Sequence, residues 1–131
     1  MNEKRFLTPP TLSPPFGYSH VVEAPAGTIV YISGQVPLDA DGQLVGEGDF
    51  EAQTRQVFEN LTRALEAADA TWSDVVKLDY FLRDVGQIAI VRTIRDEYVD
   101  TTNPPASTLV EVSGLFRPEV LVEVQATAIR T

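Results

Sequence analysis

The sequence predicts an α+β domain in which two helices lie on one face of a mixed sheet, in the order ββαβαββ. Two observations carry this. Apolar residues recur at three- and four-residue steps in two stretches, one after Asp49 and one after Asp84. They alternate with other residues in two further stretches, Val75 to Leu82 and Val120 to Ile129. Helical and extended periods thus take turns along the chain.

The first residues, 1–15, include Pro9, Pro10, Pro14 and Pro15 and predict an extended arm, leaving residues 16–131 as a single domain. Val21-Val22 and Thr28 to Ser33 are β-rich, and Pro25-Ala26-Gly27 between them has turn chemistry, so these two pieces predict a hairpin. Turns follow at Asp39-Ala40-Asp41-Gly42 and Gly46-Glu47-Gly48. From Phe50 to about Ala68, the residues Phe50, Thr54, Val57, Leu61, Ala64, Leu65 and Ala68 form the buried stripe of a helix that Asp49 can cap. Glu51, Arg55, Glu59, Arg63 and Glu66 give it a solvated face. A strand spans Val75 to Leu82. Asp84 and Gln87 have the spacing of a capping box, with Ile88, Val91, Ile94 and Tyr98 as the stripe of a second helix that stops before Asn103-Pro104-Pro105. Strands at Ser107 to Val112 and Val120 to Ile129 complete the order.

Composition bounds the function. The chain has 131 residues, 44% of them apolar, enough for one modest core. It has no cysteine and one histidine, His20, which excludes disulfides and thiol nucleophiles and speaks against a metal centre or other cofactor. No run approaches the roughly 18 apolar residues of a membrane span, and a soluble, cytoplasmic protein is expected. A net charge of −9 opposes binding to nucleic acid or anionic lipid. On the side of the sheet away from the helices, alternation places Phe81, Leu109, Leu121 and Ile129 among Lys77, Asp79, Glu123 and Gln125. A face of this mixed kind predicts contact with another subunit.

Four segments carry a family resemblance: Gly17-Tyr18-Ser19-His20, Ile32-Ser33-Gly34-Gln35-Val36-Pro37, Pro105-Ala106-Ser107-Thr108-Leu109-Val110-Glu111-Val112 and Val122-Glu123-Val124-Gln125-Ala126. Together they resemble the Rid family, also called YjgF-like or L-PSP proteins, whose best-known members hydrolyse reactive enamines and imines. The resemblance implies a chorismate-mutase-like fold, a homotrimer with a barrel-like centre, and three ligand clefts at the subunit junctions. It further implies that Tyr18 lines the cleft, that Ser33 and Gly34 contact a small-molecule ligand, and that Glu123 stands near the hydrolytic water.

Two positions depart from the family pattern. Where deaminating relatives fork an arginine onto the substrate carboxylate this chain has Ser107, and where a cysteine follows it has Leu109, which keeps the backbone N–H. A hydrogen bond to a charged group contributes about 1.5 to 3 kcal/mol, so standard 2-imino acids are expected to bind about ten- to a hundredfold more weakly. In the second helix, the place of a cleft-facing asparagine is taken by Arg92, which either supplies a relocated cation for an anionic ligand or pairs with Asp96 on the solvated flank. Two functions follow: hydrolytic deamination of an imine or enamine, or a non-catalytic trimer binding a metabolite or partner in the same cleft.

Overall fold

The computed structural model describes residues 3–131, so residues 1 and 2 of the arm lie outside the described residues. The arm is not only extended. It contributes β1 (Arg5–Leu7), which pairs antiparallel with β2 (Val21–Glu23), and Arg5 bonds Glu23 across the ribbon at 2.9 Å. The hairpin predicted between β2 and β3 (Thr28–Gln35) is therefore corrected, since β3 pairs with the last strand instead. The reason lies in the link between them. Pro25 has no N–H to offer, and Gly27 sits so close to the Arg130 carbonyl that a Cβ there would stand 2.7 Å from its oxygen, which ties this point of the chain to the end of the last strand.

The main sheet has four strands, β3, β4 (Val75–Leu82), β5 (Ala106–Glu111) and β6 (Val122–Arg130), in the order β3-β6-β4-β5. Only β4 and β5 run parallel; the other pairs are antiparallel. Helix α1 (Phe50–Ala67) and the shorter α2 (Ile88–Arg95) follow β3 and β4. This mixed sheet with two helices is the predicted α+β class.

Local chemistry explains the boundaries. Asp49 is extended and accepts a hydrogen bond from the Ala52 N–H at 3.0 Å, so α1 starts where a cap is available. Asp49→Ala should destabilise the protein by about 1 kcal/mol, read as a shift of the urea midpoint. Asp84 likewise accepts from the Gly86 N–H at 2.9 Å, but it caps a 3₁₀ turn at Val85–Gln87, and Gln87 makes no reciprocal side-chain bond at the start of α2. Helix α2 ends at Arg95, earlier than the apolar stripe implies, and Tyr98 packs its ring on Phe58 from the turn beyond.

The core lies between the helices and one sheet face, with Leu78, Tyr80, Leu82, Val122, Val124, Ala126 and Ala128 meeting Val57, Phe58, Leu61, Leu65, Val91 and Ile94. Pairing jumps from Val75 with Ala128 to Lys77 with Thr127, so Val76 is the extra residue of a bulge and Val75 joins Leu78 in the core. The other face is open. It carries Ile29, Tyr31, Phe81, Val110 and Ile129 around Lys77 and Asp79, which pair with each other, while Asp79 also accepts from Gln125 at 3.2 Å. Two residues expected there are elsewhere. Leu109 is in register with the buried Tyr80 and so faces the helices, and Leu121 precedes β6 and packs against the core.

Candidate functional site

A cavity of about 190 Å³ opens between α2, β5 and the segment leading into β2. Its position follows from two hydrogen bonds. The Ser19 N–H donates to the Pro105 carbonyl at 3.2 Å and its hydroxyl to the Pro104 carbonyl at 2.6 Å, which holds Tyr18 beside the start of β5. From β5 come Ser107 and Leu109, one facing Leu78 and the other Tyr80 across the parallel register. Arg92 enters from α2, and its guanidinium lies 5.2 Å from the centroid of the Phe16 ring. The structure thus brings Tyr18, Arg92, Ser107 and Leu109 to one place.

The pocket holds a second arginine that sequence reading passed over. Arg95 is buried, lines the cavity and takes Asp96 as its partner through Nε at 2.9 Å. The carboxylate that offered Arg92 a surface partner is engaged by Arg95 instead. Tyr80 lines the cavity too. Burial pushes its phenol well above the ordinary tyrosine range, with the charge of Arg95 pulling the other way, so the group stays neutral and able to donate. The signals for both were present: Arg95 is one helical step from Arg92, and Tyr80 is a polar-tipped residue on the core side of a strand.

Glu123 is not in this cavity. In β6 it is in register with Phe81, on the open face, and its carboxylate reaches across to Gly34. Between Ile32 and Gln35 the β3 pairing is irregular, and Ser33 is exposed there. A Cβ on Gly34 would overlap the Glu123 carboxylate, so only glycine leaves it that position. Within one chain the predicted residues therefore form two groups on opposite faces of the sheet: Tyr18, Arg92, Ser107 and Leu109 on the helix side, Ser33, Gly34 and Glu123 on the open side. Among the described residues no cluster of histidine and carboxylate groups is arranged to hold a metal ion, and no helix is long and apolar enough to cross a membrane.

Fold and site define a small α+β domain with a cation-lined cavity on one side of its sheet and a glycine-seated carboxylate on the other. A family model described as Endoribonuclease L-PSP matches residues 10–130. A RutC family protein of Pyrococcus horikoshii is 38% identical over 85% of this chain and 85% of its own. The 3-aminoacrylate deaminase RutC of Acinetobacter baylyi is 36% identical over 92% of this chain and 90% of its own. Among solved structures, a Rid family protein of unknown function from Yersinia pestis, YyfB, superposes with a TM-score of 0.88 at 39% identity, covering 99% of this chain and 100% of that one. The chain belongs to this L-PSP family, also known as the Rid or YjgF-like family.

Proposed function

We propose that the protein hydrolyses a carboxylate-bearing imine or enamine, releasing ammonia, in a cleft completed by a second copy of the chain. The observation that carries this is Arg92 lining the same cavity as Ser107. The cation that Ser107 lacks is supplied from α2 instead. The relative from Acinetobacter is named as a deaminase of 3-aminoacrylate, an enamine with a carboxylate, and this supports the same substrate chemistry here. The net charge of −9 weighs against RNA as the substrate.

In this reading Arg92 orients the carboxylate. Water attacks the imine carbon, the new C–O bond forms as the C–N π electrons move to nitrogen, and nitrogen takes a proton. Loss of ammonia then leaves the carbonyl product. Glu123 orients the water and accepts its proton. Because Arg92 and Glu123 lie on opposite sides of one sheet, a cleft containing both requires Glu123 from a neighbouring protomer. The open face, with Tyr31 79% and Ile29 52% exposed in the single chain, offers apolar surface for such an assembly, which we take to be the family's homotrimer.

The test is ammonia formation from 2-iminopropanoate and 2-iminobutanoate generated in situ. Wild-type turnover is expected, and Arg92→Ala should lower kcat/KM about tenfold or more. Saturable binding of these acids by folded protein without ammonia release would replace deamination by a purely ligand-binding role.

A further inference from the structure

One residue lining the cavity carries a polar atom that no group among the described residues satisfies. Tyr80 is 2% exposed, and its hydroxyl is buried with no hydrogen-bond partner among the described residues. Such a group lowers stability, and phenylalanine would fill the same space without that cost. An orphan donor on a residue that lines a cavity calls for an acceptor from outside.

Arg95 points the same way. Its Nε is engaged by Asp96, but its terminal nitrogens donate to no group among the described residues. They lie against Gly17, where φ is +80° and the absent Cβ leaves them room. Within one chain the charges lining or touching the cavity are two guanidiniums, Arg92 and Arg95, and one carboxylate, Asp96, which leaves one net positive charge before a neighbour's Glu123 is added. Ile88, Val91 and Leu109 give the cavity an apolar wall, with Phe16, Tyr18 and Ser107 completing the lining.

We propose that Tyr80 and Arg95 are ligand-binding residues that join Arg92 in a three-donor cradle for the carboxylate of a monoanionic ligand. This rests on the cavity being the substrate site of the function proposed above, and it narrows the substrate class. A carboxylate has about four acceptor positions, enough for two guanidiniums and a phenol. The ligand's body then lies on the apolar wall. A dicarboxylate would bring a second negative charge to a cleft whose single net positive charge already faces the neighbour's Glu123, and its far end would meet Ile88, Val91 and Leu109.

The experiment is calorimetric titration of 2-oxobutanoate and 2-oxoglutarate, unreactive carbonyl counterparts of imine substrates, into wild type, Tyr80→Phe and Arg95→Gln. 2-Oxobutanoate is expected to bind at least tenfold more tightly than 2-oxoglutarate. Tyr80→Phe should raise its Kd about tenfold while the melting midpoint stays at or above the wild-type value, because the orphan hydroxyl is gone. A structural tyrosine would not give that pair of changes. Arg95→Gln should weaken binding to a similar degree. Unchanged affinity in Tyr80→Phe overturns the cradle, as does equal affinity for the two acids. If affinity falls as expected while wild type releases no ammonia from imines, deamination fails and the cradle stands. Ammonia release by wild type, with the affinity of Tyr80→Phe unchanged, overturns the cradle and leaves deamination in place.

Discussion

Glu123→Gln should lower ammonia release by about 10²- to 10⁴-fold while leaving the affinity for 2-oxobutanoate within about twofold of wild type. Glutamine keeps the size and the place beside Gly34 but cannot accept a proton from water, so the loss falls on kcat. Gly34→Ala provides the complementary test. Its Cβ would overlap Oε2 and crowd Cδ and Cγ of Glu123, and the flexible end of that side chain must swing away. The carboxylate survives but leaves its position, and a drop of about a hundredfold in kcat is expected with little change in melting temperature. Steady-state kinetics on both variants, beside the calorimetric titration, decides the matter. Full turnover in Gly34→Ala would show that the seat of Glu123 is unimportant to the chemistry.

Gln53→Leu should cost about 3 to 5 kcal/mol of stability, read from urea denaturation as a lowered midpoint with an unchanged slope. Gln53 is fully buried on α1, yet its amide serves three backbone groups. Its Nε2 donates to the Gly46 carbonyl at 3.0 Å and the Glu119 carbonyl at 2.9 Å, while its Oε1 accepts from the Leu121 N–H at 2.9 Å. Leucine has similar volume and leaves all three unpaired in a region where water is scarce. The same amide fixes the chain just before β6, two residues from Glu123, so the loss should reach activity as well. A cost near that of Asp49→Ala would mean that the three groups find other partners.

Much of this architecture was legible because strong periods leave little choice. The alternation of β4 and β6 and the stripe of α1 each bury one face, and a slip of one residue would expose it. What was hidden depended on partners distant in sequence. The partner of β2 is a three-residue strand on the far side of four prolines, too short for any period to register. Leu109 lies in Ser107-Thr108-Leu109-Val110-Glu111, where alternation is weak, and its side of the sheet is set only by the parallel register with Tyr80. The site shows the same division. The candidate residues Tyr18, Ser33, Gly34, Arg92, Ser107 and Glu123 came from motifs, and alternation already set Glu123 on the face away from the helices. That Tyr18, Arg92 and Ser107 line one cavity on the other face was not readable. Arg95 and Tyr80 escaped notice because a helix-end arginine and a core tyrosine are ordinary until their unfilled hydrogen-bonding capacity is seen.

The back-to-back arrangement of Glu123 and Arg92 changes what a subunit is. A chain with its carboxylate on one side of the sheet and its guanidinium on the other takes part in two clefts of the proposed ring and completes neither. Two unlike defects carried by different chains can then meet in a single cleft or be parted between neighbours, depending on how the ring is filled. In that proposed ring, heredity and chemistry would be counted in different units: one chain is encoded, but the reacting centre would belong to the boundary between two.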